Sequence, residues 1–307
     1  MKRNIKTAVI TGPTGAVGTA LCRKLLQENI KVYAVCRPGS NRRESLPTND
    51  DLHIVDCDLS DYKTLKTKLH GITVDAFFHF AWSHTIGTGR NDMQAQINNI
   101  RYTIDAVNVA KELGSKVFIG AGSQAEYGRV EGMLKPDTPT FPENGYGMAK
   151  LCAGQMSRLE SEKLGLDHIW PRILSVYGPR DGSMTMISSA ISQLKEGKKP
   201  AFTAGEQEWD YLFSEDAANA FYLMALYGHS GSIYPLGSGK TKKLKEYIKI
   251  LRDQIDPKLP LGIGEIPYGP NQVMFLQADI TKLQMDTGFE PEIDFEEGIR
   301  ITINSIK

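Results

Sequence analysis

The run Lys6-Thr-Ala-Val-Ile-Thr-Gly-Pro-Thr-Gly-Ala-Val-Gly18 constrains this chain more than any other stretch. Ala8, Val9 and Ile10 form a short apolar run that reads as a buried parallel strand. Gly12, Gly15 and Gly18 follow at spacings of three. From Thr19 to Glu28, Leu21, Leu25 and Leu26 share one face, which is the period of a helix. Strand, glycine turn and helix make the first unit of a dinucleotide-binding fold. In that unit Gly12 permits the tight turn and Gly15 lets the backbone approach a pyrophosphate. Gly18 lets the helix pack close on the strand, with its first N–H groups facing the phosphates.

The same alternation continues. Apolar runs occur at 7–11, 31–36, 52–56, 74–80, 116–120 and 167–174, with helical patterns at 16–28, 61–69, 92–113 and 146–164. Apolar strands alternating with helices mean a parallel sheet covered on both faces. Beyond residue 175 prolines and glycines become frequent and shorter helical patterns appear at 184–196, 215–227 and 242–254. The expected class is α/β: a Rossmann-type doubly wound parallel sheet with a smaller C-terminal α/β lobe. The expected division is 1–174 for the dinucleotide-binding part, with a return near 212–237, and 175–211 plus 238–307 for a substrate lobe. Ligands of open α/β sheets bind outside the carboxyl ends of the strands, where such a lobe would cover them.

Bulk properties exclude several classes. Lysine plus arginine number 36, as do aspartate plus glutamate, so nothing in the charge draws the chain to nucleic acid or an anionic membrane. No apolar run nears the roughly 20 residues that span a bilayer. The first strand starts almost at the N-terminus, so no signal peptide is expected, and the location is expected to be cytoplasmic. The four cysteines, Cys22, Cys36, Cys57 and Cys152, fall within expected strands and helices without metal-type spacing. They read as free thiols in a reducing compartment, and no metal is expected.

The end of the second strand selects the nicotinamide cofactor. An NAD site places Asp or Glu there, about 20 residues beyond the glycines. Here the strand Val32-Tyr-Ala-Val-Cys36 runs into Arg37, then Ser40, Asn41, Arg42 and Arg43. A planar guanidinium fork suits a 2′-phosphate, so NADP(H) is favoured, with NAD as the alternative. Asp58 is placed to accept from an adenine amino group, or else to cap a helix.

Tyr146-Gly-Met-Ala-Lys150 puts a tyrosine and a lysine on one helix face. A phenol with a pKa of about 10 is too weak an acid for neutral pH, and a nearby ammonium would lower it. Such a tyrosine can exchange a proton with a carbinol or carbonyl oxygen while hydride moves to or from nicotinamide. Ser123 ends the preceding strand, where it could hydrogen-bond the same oxygen.

With these residues the chain resembles the extended short-chain dehydrogenase/reductases, the sugar-nucleotide epimerases, dehydratases and ketoreductases. The likeness runs through Thr11 to Gly18, His79-Phe-Ala-Trp82, Asn99, Ser123, Tyr146 and Lys150. It continues in Arg172 to Pro179, in Trp209-Asp-Tyr-Leu-Phe-Ser-Glu-Asp216, in Ala278 to Lys282 and in Thr287 to Pro291. It ends on Phe295-Glu-Glu-Gly298 and covers nearly the whole chain. The resemblance implies that Tyr146 is the acid/base, that Lys150 also holds the nicotinamide ribose, and that Ser123 orients the carbonyl. It implies a cofactor bed of Gly12, Thr14, Gly15, Ala16 and Val17, then Asp58 and Leu59, then Phe80, Ala81, Trp82 and Asn99. It also implies a homodimer through the helices at 92–113 and 146–164.

Departures narrow the reaction. Dehydratases of this family carry an Asp-Glu pair after the serine or threonine, where this chain has Gln124 and Ala125. Glu126 comes one residue later and is expected to face the other side, so dehydration is disfavoured. Arg37 favours an exchangeable NADPH and hence a ketoreductase of a nucleotide-linked keto sugar, such as a 4-keto-6-deoxy sugar. The alternative is an NAD-dependent C4 epimerase. Nucleotide-binding relatives often carry Asn where Ser175 stands, Arg where Trp209 stands and another Arg near Gly269. Arg180, Lys240 or Lys242 could compensate. If they do not, a small-carbonyl reductase is the further alternative. A non-catalytic NADP sensor would have no use for Ser123, Tyr146 and Lys150 together. Ser175, Arg180 and Trp209, whose indole could stack on a base or sugar or else belong to the lobe core, join His84 and Gln124 as substrate-side candidates, while His79 and His168 are expected to be buried and satisfied.

Overall fold

The computed structural model describes residues 2–306. The first strands are β1 (Thr7–Thr11), β2 (Lys31–Cys36), β3 (Leu52–Asp56), β4 (Ala76–His79) and β5 (Val117–Gly120). They are followed by β6 (Gly122–Ser123), β7 (Asp167–Ile173), β8 (Ser175–Tyr177), β9 (Ala201–Phe202), β10 (Glu208–Trp209), β11 (Tyr211–Phe213) and β12 (Ile233–Leu236). Short strands β13 (Lys242–Lys243), β14 (Gly262–Ile263) and β15 (Phe275–Leu276) complete the set. The helices are α1 (Ala16–Gln27), α2 (Leu65–Lys68), α3 (Met93–Glu112), α4 (Gly145–Leu164) and α5 (Met186–Lys195). After them come α6 (Ser214–Tyr227), α7 (Leu244–Asp253), α8 (Thr281–Thr287) and α9 (Phe295–Ser305).

The main sheet runs β3-β2-β1-β4-β5-β7-β12, with β6 paired to β7, and all its pairings are parallel. Alternation along each strand feeds two cores. Ile10 and Phe78 face Leu21 and Leu25 of α1 and Phe221 and Met224 of α6. Their neighbours Val9 and Phe77 face Tyr62, Val107, Ala110 and Leu113 on the other side. Both faces are covered over the central strands β1, β4 and β5, which are almost wholly buried, while the edge strand β3 is half-exposed. The strand order reverses between β1 and β4, and a crevice opens there beyond the strand ends.

A third core joins β8 and β11 to α5, α7 and α9 through Tyr177, Ile191, Phe213, Tyr247, Leu251, Phe295 and Ile299. Asp210 rivets this region. Fully buried, it accepts from Ser238 N and Oγ, both at 2.7 Å, and from Gly239 N and Ala278 N, both at 3.0 Å. Four hydrogen bonds offset the cost of burying the carboxyl.

The structure differs from the sequence reading in a few places. The helix expected at 61–69 is a tight 3₁₀ stretch over 59–64 followed by the four-residue α2, with a break at Asp61 (φ −124°). Asp58 starts that stretch by capping Ser60 N at 3.0 Å. Cys57 lies just past the end of β3 rather than within it. The strand β12 falls within the expected return near 212–237, and the short strands β9 and β13 to β15 and the helices α8 and α9 are additions to the expected elements. Cys22, Cys36 and Cys57 are buried free thiols, while Cys152 is only half-buried.

Candidate active site

The groove at the ends of β1, β2, β4 and β5 starts from the glycine turn. Gly12 has φ +68°, and a Cβ there would lie 2.7 Å from Ala81 N. That close approach needs glycine. Gly15, the residue before α1, offers no side-chain cap, and the first turn of the helix carries no acid. The first N–H groups of α1 therefore point unsatisfied into the groove, a positive cradle for an anionic diphosphate.

Two adjoining cavities make up the groove. One, of about 350 Å³, is lined by Gly12, Thr14, Gly15, Arg37, Ser40 and Arg42, and by Asp58, Leu59, Phe80, Ala81 and Trp82. The other, of about 370 Å³, shares Gly12, Gly15, Phe80 and Trp82 with it and adds Ala16, Val17, Ser123, Tyr146 and Lys150. Residues far apart in sequence, from Gly12 to Asp181, thus meet along one channel. Asn99 is the exception among the expected cofactor residues. It is buried behind the channel, where Oδ1 accepts from Ser83 N at 3.0 Å and Nδ2 donates to Ser83 O at 3.0 Å. It clamps the loop after β4 instead of lining the groove. Tyr62, Ser83, Ile173, Val176 and Asp181 also line the channel and are not among the site residues expected from the sequence, although Ile173 and Val176 lie in the stretch that carries the family resemblance. Tyr62 carries no motif, and Asp181 reaches the site only through the fold.

At the β2 end the arginines divide their work. Arg43 donates to Asp56 Oδ1 at 2.6 Å, Ser40 O at 3.0 Å and Arg37 O at 3.1 Å, and so pins the loop. Arg37 is exposed at the rim with no acid at the strand end beside it. Arg42 donates to Arg180 O at 3.1 Å, which ties this loop to the one after β8.

At the other end, Asn144 caps α4 by accepting from Gly147 N at 2.9 Å. One turn of helix brings Tyr146 and Lys150 to the same side. The Tyr146 phenol faces the Ser123 hydroxyl, and Ser123 Oγ also accepts from Ala125 N at 3.2 Å. Burial pushes the Tyr146 phenol above its ordinary value, with Ser123 and the Arg90 charge pulling the other way. Lys150 is buried, and burial pulls its ammonium down to about 7. Its Nζ donates to Ala121 O at 2.7 Å and lies 3.7 Å from the Trp82 ring centre. The expectation that Lys150 stands beside the phenol is met only loosely, because the carbonyl past the end of β5 draws the ammonium inward.

Behind Ser123, Glu126 turns away from the groove, as expected. Its carboxylate accepts from Arg172 Nε at 2.7 Å, Trp170 Nε1 at 3.0 Å and the Ser123 backbone N–H at 2.8 Å. Gln124 sits in the turn that follows β6, outside the linings of the cavities.

The other substrate-side candidates scatter. Trp209 Nε1 donates to Ser175 Oγ at 2.8 Å, and the indole packs against two apolar cores. Arg180, at φ +68°, lines an open cavity of about 1030 Å³ together with Arg42, Arg90, Thr85 and Met184. His84 is exposed, packs on Gly89 and lies outside these linings. Lys242 is paired with Glu296 at 3.0 Å. His79 Nδ1 meets Thr11 Oγ1 at 2.9 Å and His168 Nε2 meets Ser157 Oγ at 2.8 Å, so both buried rings are satisfied. Among the described residues no cluster of side chains could hold a metal ion, and no helix is long and apolar enough to cross a membrane.

Residues 8–237 match the NAD dependent epimerase/dehydratase family. A UDP-glucuronate 4-epimerase of Thermodesulfobacterium geofontis is 25% identical over 311 residues, 96% of this chain and 94% of that protein. A dTDP-glucose 4,6-dehydratase of Neisseria gonorrhoeae is 24% identical over 330 residues, with 97% and 94% covered. Among solved structures, the UDP-N-acetylglucosamine 4-epimerase of Methanobrevibacter ruminantium in complex with UDP-N-acetylmuramic acid superposes with a TM-score of 0.88. It is 25% identical, over 99% of this chain and 98% of that one.

Proposed function

The chain belongs to the NAD-dependent epimerase/dehydratase family, and we propose that it acts there as a 4-epimerase of a nucleotide-linked sugar. The carrying observation is the convergence of Ser123, Tyr146 and Lys150 at the inner end of a groove that starts on the bare N-terminus of α1. Gly12, Gly15 and the α1 N-terminus would hold the dinucleotide diphosphate, with Arg37, Ser40 and Arg42 on its adenosine side. When bound, the nicotinamide supplies the hydride acceptor and donor. Ser123 holds the substrate oxygen, and Tyr146 takes its proton and returns it. Lys150 positions the ribose and the backbone at Ala121. Full-length relatives at 25% identity named as 4-epimerases support this reading. The turn after β6 argues against elimination, since its one carboxylate is consumed by Arg172 behind the groove.

A second reading, a net ketoreductase of a nucleotide-linked keto sugar, is favoured by Arg37. A cation in place of an acid at the end of β2 suits the 2′-phosphate of an exchangeable NADPH. Denaturing the freshly purified protein and identifying the released dinucleotide separates the two. Stoichiometric retained cofactor, with sugar nucleotides interconverted and no net cofactor consumption, supports the epimerase. An empty site with NADPH consumed by keto-sugar nucleotides supports the reductase and overturns the first reading.

We further propose that 175–211 and 238–307 act as the substrate-side cover and that the protein is a homodimer. Met148, Met156 and Leu159 of α4 and Met93 and Ile97 of α3 are exposed large apolar side chains on helices packed side by side. Such a patch suits a helix-to-helix interface between two copies. Four unpaired thiols suit a cytoplasmic location.

A further inference from the structure

Tyr146 lies near two cations, and the closer one is not the lysine of its own helix. The Arg90 guanidinium carbon is 4.3 Å from the centre of the Tyr146 ring, against 5.8 Å for Lys150 Nζ. Lys150 is occupied by Ala121 O and the Trp82 ring. Among the described residues Arg90 forms no ion pair, and its guanidinium makes one long hydrogen bond, Nη1 to Thr85 O at 3.4 Å.

The surroundings fix this stack. Gly145 donates its N–H to Asn91 Oδ1 at 2.9 Å. A Cβ at Gly145 would stand 3.0 Å from the Arg90 carbonyl and 2.9 Å from the Met93 sulfur, so glycine lets the 87–91 turn seat this closely on the start of α4. That seating lays Arg90 over the next residue, Tyr146. Trp82 meets the same ring edge-on at 6.1 Å, which leaves the ring little freedom to turn. A cation over a phenol gains from the ring quadrupole, and gains more once the ring carries phenolate charge.

We propose that Arg90 is a positioning residue for the acid/base: it fixes the Tyr146 ring and stabilises its phenolate. The inference rests on Tyr146 being the acid/base, yet it concerns a protonation equilibrium that can be read without turnover. The other groups facing Tyr146 are the Ser123 hydroxyl, Lys150 on the same helix, and Glu126 in the turn after β6, whose charge Arg172 offsets at 2.7 Å. Asp181 lines the same cavity.

The test replaces every tyrosine of the full-length protein by tyrosine fluorinated ortho to the hydroxyl. The Tyr146 resonance is assigned by its loss in Tyr146→Phe and titrated by fluorine NMR. In Arg90→Met the midpoint is expected to rise by about one pH unit or more, the effect of losing an opposite charge within about 4–6 Å. Arg90→Lys, which keeps the charge without the planar fork, is expected to fall between the two. A midpoint unchanged or lowered in Arg90→Met overturns the proposal. So does an Arg90→Lys midpoint displaced as far as that of Arg90→Met, which would assign the effect to shape. Circular dichroism of each variant restricts the comparison to folded protein. Because no substrate enters the measurement, failure here is distinct from failure of the proposed reaction.

Discussion

Glu126 and Arg172 meet 2.7 Å apart, with side chains 1% and 3% exposed, in the wall directly behind Ser123. The same carboxylate holds the Ser123 backbone N–H and the Trp170 indole. Removing one partner leaves the other charge buried and alone, which costs about 3–5 kcal/mol. Glu126→Gln should lose that much stability in equilibrium urea unfolding, and Glu126→Gln with Arg172→Met should recover part of it. A single-variant loss well under 1 kcal/mol would show that water reaches Arg172.

Tyr146→Phe removes the proton carrier and keeps the ring that Arg90 and Trp82 enclose. Turnover should fall by about 10²–10⁴-fold, while dinucleotide affinity by fluorescence titration stays near that of the parent. Unchanged turnover would move the acid/base role to another group.

Arg37→Asp exchanges a rim cation for the acid that reads a ribose 2′-hydroxyl. Charge-assisted hydrogen bonds of about 1.5–3 kcal/mol imply a shift in the NADPH-to-NADH affinity ratio of roughly ten- to a hundred-fold toward NADH. Parallel titrations with the two cofactors measure it. An unmoved ratio would mean that the 2′ position is read by another residue or not read at all.

Met148→Glu with Leu159→Glu puts two carboxylates on the exposed apolar face of α4. Sedimentation velocity should show a dimeric parent and a monomeric variant with an unchanged circular dichroism spectrum. A parent that sediments as a monomer would exclude this interface.

His168 lies between Phe118 and Trp170, each ring 5.9 Å away, and burial holds its imidazole down to about 3. The unfolded chain binds that proton with a pKa of about 6.5, so between about 6.5 and 3 the unfolded state carries more protons. Stability should therefore fall as pH drops through that window, by up to about 1.4 kcal/mol per pH unit for this one group. His168→Phe should flatten the slope of unfolding free energy against pH there. An identical slope would mean the imidazole is charged in the folded protein. His79, held down to about 3 by burial and the Lys150 charge, adds a second such contribution.

What the sequence shows and what it hides follow from physical scale. The central strands β1, β4 and β5 are legible because a sheet covered on both faces demands continuous apolar runs, and α1 because it turns an apolar stripe inward, whereas α4 buries Gly147, Ala149, Lys150, Ala153, Gly154 and Ser157 and leaves Met148, Met156 and Leu159 exposed. The pairs β9 with β14 and β10 with β13 and β15 are two residues long, too short for any period to register. The Tyr146 and Lys150 spacing is readable, but the detour of the ammonium to Ala121 is set by where another strand ends. Arg90 is invisible to pattern reading, since it reaches Tyr146 through a turn on another element. Asp58 is genuinely double: it caps the stretch after β3 and also lines the groove. Trp209, open to a substrate reading from sequence, is tied to Ser175 and packed among apolar side chains.

The late arrival of β12 has a consequence for biosynthesis. This strand covers the outer edge of β7, pairing Ile233 to Leu236 with Trp170 to Ile173, yet it lies beyond α5 and α6 in the chain. A ribosome adding about 5–20 residues per second therefore leaves that edge bare for several seconds. An unpaired apolar edge is the template on which nascent chains stick to one another. Slow translation between β7 and β12 should lower the yield of native protein even though the finished molecule is unchanged.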